Sequence, residues 1–114
     1  LTGQVCSETI GTRQYSGPGG AFDFAYGAAH SKGGRSILIM HAATNKGASK
    51  IKATLPVGAA VTIPRTYTDY VVTEYGIAHL RGRSVRDRVK ALVAIAHPDV
   101  RDELMAEARR LFYI

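Results

Sequence analysis

Three stretches of the sequence combine residue types that could do chemistry. In Tyr70-Val71-Val72-Thr73-Glu74-Tyr75-Gly76, an apolar run ends on a carboxylate followed by a turn glycine. A glutamate held there could act as a general base, a substrate-positioning group or a nucleophile. By spacing alone, a surface role is the more common fate. In Thr44-Asn45-Lys46-Gly47, a lysine lies just beyond the apolar run Ser36 to Met40. Ligands of open α/β sheets sit outside the carboxyl ends of the strands, so Lys46 is placed for a phosphate, although a single loop lysine is more often merely solvated. In Ser16-Gly17-Pro18-Gly19-Gly20, a glycine-rich turn feeds a helix start and exposes backbone N–H groups to an anion or a developing oxyanion. The pattern matches neither a P-loop nor a dinucleotide fingerprint, and the same glycines would equally serve a tight turn without a ligand.

Other polar residues are less suggestive. His30, His41, His79 and His97 lack metal-ligand spacing, Cys6 has no cysteine neighbour, and no metal is expected. Cys6 reads as a small, semi-buried apolar residue. Arg81, Arg83, Arg86, Arg88 and Lys90 form a basic cluster without interleaved aromatics, and a solvated helix face is the expectation for it. A small basic nucleic-acid-binding domain is the competing reading of the same cluster.

The elements that must position these residues can be read from periodicity. Leu1 to Gly20 starts apolar and turns polar, with a loop at Ser16 to Gly20. Ala21 to Ala29 reads as a short helix ended by Lys32-Gly33-Gly34. Strands are expected at Ser36 to Met40, Lys50 to Leu55, Ala60 to Ile63 and Tyr70 to Glu74, punctuated by Pro56, Gly58 and Pro64. From Ser84 the period changes. Val85, Val89, Leu92, Val93 and Ala96 recur at helical spacing, Ser84 and Asp87 resemble a capping box, and His97-Pro98 breaks the helix. Pro98 opens a second helix with Leu104, Ala108 and Leu111 as its apolar stripe.

With 114 residues and 46% hydrophobic positions, the chain is expected to form one α/β domain over residues 1–114, with short strands in the first two thirds and two C-terminal helices. The net charge of +6 favours an anionic partner without choosing one. No apolar stretch reaches the length of a membrane helix and no leader is evident, so a soluble, cytoplasmic protein without a membrane partner is expected. The single cysteine rules out an internal disulfide. The first residue is not methionine, and Leu1 to Ser7 already read like the middle of a structured region, which suggests a fragment.

Four blocks in order resemble the acetyl-CoA hydrolase / 4-hydroxybutyrate CoA-transferase family in its C-terminal domain. They are Gly3-Gln4-Val5-Cys6-Ser7-Glu8, the run Gln14 to Phe24 with Gly17-Pro18-Gly19-Gly20 at its centre, the run Asp69 to Gly82 with Thr73-Glu74-Tyr75-Gly76 at its centre, and Ala94-Ile95-Ala96-His97-Pro98-Asp99. The resemblance implies an open sheet of the CoA-transferase type in a longer two-domain enzyme that binds coenzyme A between its domains. It also implies chemistry in which a glutamate carboxylate attacks an acyl-CoA thioester. A glutamyl-CoA thioester then passes CoA to a carboxylate or, in hydrolases, to water. That glutamate lies upstream of the region covered here, so this chain alone is expected to be inactive.

By the same resemblance, Ser16, Gly17, Gly19 and Gly20 fall on the CoA-binding glycine loop, and the Gly20 N–H also serves the oxyanion pocket. Lys46 falls on the lysine that touches CoA, and Glu74 on an auxiliary active-site glutamate. The Glu-Tyr-Gly context of Glu74 superficially resembles the nucleophile motif of other CoA-transferases. Asn45, the residues after Gly47, Pro18 and Tyr26 depart from the pattern, and Tyr26 stands where an arginine is expected. The implied partners are acyl-CoA, small carboxylates and the N-terminal domain of the same protein. A homo-oligomer is compatible with this, and no nucleic acid or metal is called for.

Overall fold

Thr9–Ile10 (β1) and Arg13–Gln14 (β2) pair as an antiparallel hairpin in the computed structural model, which describes all of residues 1–114. Gly11 turns the hairpin with φ +59°, a conformation that costs a side-chain-bearing residue strain. Sequence periodicity misses this pair because two residues per strand are too few to show alternation. The expected helix follows as Ala21–His30 (α1).

The main sheet has three strands, Ile37–Ile39 (β3), Tyr70–Thr73 (β4) and Gly76–His79 (β5), in the order β3-β4-β5. β3 and β4 run parallel, with Ile37 opposite Tyr70 and Ile39 opposite Val72, while β4 and β5 form an antiparallel hairpin that pairs Thr73 with Gly76. Glu74 and Tyr75 are therefore the two residues of a tight loop, and Gly76 closes it with φ +141°.

Two expected strands do not form. In Lys50 to Leu55, the Lys50 N–H goes to the Ala42 carbonyl, while the Lys52 and Ala53 carbonyls accept from the Leu1 nitrogen. These backbone groups are spent on separate loop contacts and never meet one continuous neighbour. In Ala60 to Ile63, only Ile63 forms a bridge, to Val5, and Pro64 then removes the next N–H that could extend it. Both segments carry strand-forming residues; pairing is what they lack.

Ser84 caps Val85–Ala94 (α2) by accepting from the Asp87 N–H at 3.2 Å. The buried residues Val89, Leu92 and Val93 lie at the spacing of one helix face. Pro98 opens a 3₁₀ turn, Pro98–Val100, that runs into Arg101–Arg110 (α3), whose Leu104 and Ala108 are buried. Val71 and Ala78 of the sheet join Leu80, Val89, Leu92, Val93, Leu104 and Ala108 in one core. Burying each of the larger of these side chains is worth about 1.5–3 kcal/mol, so the apolar stripe of α2 holds it on one face of the sheet and that of α3 holds it against α2. No helix is long and apolar enough to cross a membrane.

The basic cluster is not a uniform solvated face. Arg81, Arg83, Arg86 and Lys90 are exposed, but Arg88 is buried beside Val89. Its Nη1 donates to the carbonyls of Thr2 at 3.1 Å and Arg65 at 2.8 Å, and its Nε to that of Arg83 at 3.2 Å. Helical spacing turns Arg88 inward, toward the three backbone carbonyls that accept from it.

Candidate functional site

Glu74 stands at the carboxyl end of β4 because the loop it shares with Tyr75 is too short to hold it elsewhere. Thr73, buried just before it, donates its hydroxyl to the Ile95 carbonyl at 2.6 Å and accepts from the Tyr75 N–H at 3.1 Å. The end of α2 and the end of β4 are thereby pinned together. The Glu74 carboxylate accepts from the Ala42 N–H, at 2.9 Å to Oε2 and 3.3 Å to Oε1.

Ala42 also roots the lysine loop. Its carbonyl accepts from the Lys50 N–H at 2.8 Å, and Ala43 bridges Ser49 in an antiparallel pair. Farther out, Thr44 exchanges bonds with Gly47 and Ala48, and Gly47 turns the chain at φ +85°. Lys46 is exposed at the tip of this small hairpin. Lys46 and Glu74 thus belong to one connected unit outside the carboxyl ends of the parallel strands β3 and β4, where open sheets hold ligands.

His41 Nδ1 lies 3.9 Å from Glu74 Oε2. The Tyr75 ring meets the His97 ring edge-on at 5.6 Å, and the Arg101 guanidinium lies over Tyr75 at 5.5 Å. The Ala42 N–H and its own backbone N–H hold the Glu74 carboxyl below the usual glutamate range; desolvation opposes them, and the positive potential of His41 and His97 adds a smaller lowering effect. The sign is that of a carboxylate stabilised in its charged form. The Ala42 contact is fully present above the ordinary glutamate range and weakens only as pH falls through the lower midpoint in the folded protein. The Ala42 amide resonance should therefore titrate with a midpoint below the model-peptide value of about 4.3, and Glu74→Gln should abolish that titration. A midpoint at or above that value would mean that the contact does not favour the ionised form.

The glycine loop is built differently. The Glu8 carbonyl accepts from the N–H groups of Tyr15 and Ser16 at 2.8 and 3.1 Å, which anchors its first half. Ser16 to Gly20 are all exposed, and Gly19 takes φ +57°. Gly20 caps α1 without a side-chain hydrogen bond, so the first N–H groups of the helix remain available to an anion. Phe22 and Tyr26 of α1 pack on Tyr67, ahead of β4, with ring centroids 5.4 and 5.6 Å apart. No hydrogen bond or ring contact joins Ser16 to Gly20 with Lys46 or Glu74. Tyr26 also meets the His30 ring at a tilt, with centroids 4.1 Å apart.

Sequence reasoning singled out Glu74 and Lys46 but not His41, His97, Tyr75 or Arg101 as their neighbours. His41 lies two residues beyond Ile39 and Glu74 two beyond Val72, and Ile39 pairs with Val72. That register is the signal that would have found the contact.

Comparison with known proteins fits this arrangement. The family model described as Acetyl-CoA hydrolase/transferase C-terminal domain matches residues 1–108. The chain is 52% identical over 113 residues to the 4-hydroxybutyrate coenzyme A transferase of Clostridium kluyveri, covering 98% of this chain and 26% of that protein. It is 47% identical to the succinyl-CoA:cyclohexane-1-carboxylate CoA transferase of Geobacter metallireducens, covering 97% of this chain and 26% of that protein. An acetyl-CoA hydrolase of Candida albicans is more distant at 32%, with 94% of this chain and 20% of that protein covered. Among solved structures, RipA from Yersinia pestis superposes with a TM-score of 0.87 at 43% identity, covering 99% of this chain and 26% of RipA. The chain spans about a quarter of the length of these transferases, and with the family match over nearly its whole length it belongs to the acetyl-CoA hydrolase/transferase C-terminal domain family.

Proposed function

We propose that this chain is the CoA-binding C-terminal part of an acyl-CoA:carboxylate CoA-transferase whose nucleophilic glutamate lies outside these 114 residues. The observation that carries the reading is that Ala42 holds both Glu74 and the base of the loop bearing Lys46 at the carboxyl ends of parallel strands, in a chain whose relatives are CoA-transferases.

In this reading the outside glutamate attacks the thioester carbonyl carbon of acyl-CoA and the C–S bond breaks, giving an acyl-glutamyl anhydride and CoA thiolate. The thiolate attacks the glutamyl carbonyl, which releases the first carboxylate and leaves a glutamyl-CoA thioester. An acceptor carboxylate then reverses the sequence. Each attack places negative charge on a carbonyl oxygen. A backbone donor such as the Gly20 N–H stabilises that oxyanion because it is already oriented and needs no rearrangement. Ser16, Gly17 and Gly19 shape the same loop against CoA, and Lys46 pairs with a CoA phosphate as a point charge. Glu74, ionised and held by Ala42, is an auxiliary group that orients substrate and does not form the covalent bond.

The test is to express the complete polypeptide and supply an acyl-CoA with acetate. Acetyl-CoA should form, and Lys46→Glu should raise the KM for acyl-CoA on the order of tenfold, because it replaces one attraction of up to about 1 kcal/mol by a repulsion of similar size. If the complete protein neither exchanges CoA between carboxylates nor hydrolyses acyl-CoA, the reading is wrong. Release of free CoA without acetyl-CoA would instead favour an acetyl-CoA hydrolase, the activity named for the more distant relatives. The 114-residue chain alone should be inactive in both assays.

A further inference from the structure

The main sheet has two faces, and this chain covers one of them. Val71 and Ala78 point into the core that the sheet shares with α2 and α3, with α2 packed directly on β5. On the other face, strand register sets Ile37, Tyr70 and His79 in one row and Ile39, Val72 and Ile77 in the next. Ile39 is 76% exposed, Ile77 69% and Ile37 56%. Isoleucines scattered singly over a surface need no explanation, but Ile39 and Ile77 flank half-buried Val72 across the three strands, with Ile37 two residues back along β3, and together they make a contiguous apolar patch. The sheet is mixed, with β3 and β4 parallel and β5 an antiparallel edge strand, a pattern common in doubly wound sheets that carry helices on both faces.

We propose that this face is covered by a helix from the part of the polypeptide outside these 114 residues, with an apolar stripe resting on Ile37, Ile39 and Ile77. The size of the patch suits that occupant. Three strands about 4.8 Å apart, with two side-chain rows about 7 Å apart along them, present roughly the footprint of one helix of about 10 Å diameter. The remaining chain is long enough to supply it, because the CoA-transferase relatives extend to about four times the present length. The same placement has a consequence for the site. Ile39 precedes His41 by two residues and Ile77 follows Glu74 by three, so a helix across this face passes beside the Glu74 carboxylate and walls that side of it. The inference rests on the sheet and its exposed face, and it stands whether or not the protein transfers CoA.

Maleimide labelling of the complete polypeptide tests it, with Cys6→Ser as background and a single cysteine introduced as Ile39→Cys or Ile77→Cys. Each thiol should react at least about 100-fold more slowly than in the urea-unfolded protein, as expected when labelling must wait for local opening. That protection should persist when the protein is diluted 100-fold, roughly the range over which a weak self-association would dissociate. Labelling close to the unfolded rate would overturn the proposal, because the face would then be open. Protection lost on dilution would also overturn it, by assigning the cover to a second copy of the protein. Should a cysteine variant fail to fold, hydroxyl-radical footprinting of the unmodified complete polypeptide decides the matter. Low oxidation of Ile39 and Ile77 at every concentration supports the proposal, and oxidation at the level of the unfolded protein removes it.

Discussion

Arg88→Met should destabilise the chain by roughly 2–4 kcal/mol, the scale set by losing several hydrogen bonds from a charged donor and stranding their acceptors. Methionine keeps much of the length and the apolar stem of arginine, so packing around Val89 should change little. What disappears is the fork that reaches the carbonyls of Thr2, Arg65 and Arg83 at once. These three carbonyls belong to the N-terminal segment, the turn before β4 and the residue before the Ser84 cap of α2, so one side chain ties together parts far apart in sequence. No carboxylate pairs with Arg88, and burial first, then the positive charge of Arg65, lowers the pKa of its guanidinium. That desolvation cost is why the expected loss is smaller than three full charge-assisted bonds. Arg88→Lys should recover only part of it, since a single ammonium cannot span the positions that a planar guanidinium fills. Urea unfolding of the three proteins measures the effect. A change under about 0.5 kcal/mol for Arg88→Met, the size common for surface substitutions, would mean that Arg88 is no more than another solvated member of the basic cluster.

Arg88 also shows where sequence reasoning runs out. Its position in the α2 period was legible, since Val85, Val89, Leu92 and Val93 define the helix and the buried side can be counted from them. An arginine next to that stripe reads as solvent-facing because burying a charge is costly, and the three carbonyls that make it tolerable lie in segments whose proximity no local pattern reveals. The strands divide on the same line. β3 and β4 were legible as β-branched runs. β5 was not, because Gly76-Ile77-Ala78-His79 has little strand character of its own and is extended by its hairpin with β4. Lys50 to Leu55 failed the other way, with strand composition and no neighbour to pair with. In the candidate site, Glu74 and Lys46 were legible as residues and the family resemblance as four blocks. The Ala42 N–H that holds Glu74 at the root of the Lys46 loop was not, because a backbone donor has no side-chain signature and only register brings it to the carboxylate.

The glycine loop separates a turn from a ligand site more sharply than any other position. In the complete polypeptide, Gly20→Val should lower kcat/KM for CoA transfer about 10²–10³-fold, the usual cost of losing one fixed oxyanion donor. The backbone argues that the fold should survive. Gly20 has φ −92°, open to any residue, and an added Cβ would meet only the Phe24 ring at 3.2 and 3.3 Å. Phe24 is 82% exposed and free to swing aside, so the stability change should stay under about 1 kcal/mol. The side chain would instead occupy the space over the uncapped start of α1, where, on the proposed function, a thioester oxygen or phosphate approaches the N–H groups. Gly34→Ala is the opposite control, because a Cβ there collides with the Ala28 carbonyl and the Ser31 side chain and should cost stability without touching the loop. If Gly20→Val leaves kcat/KM within about twofold of the parent, a change of no more than about 0.4 kcal/mol, the loop is a turn and the oxyanion donor must be sought elsewhere. If activity falls in step with melting temperature for both variants, the loss is one of folding. Only a large loss at Gly20 in a stably folded protein places the reacting carbonyl against this loop.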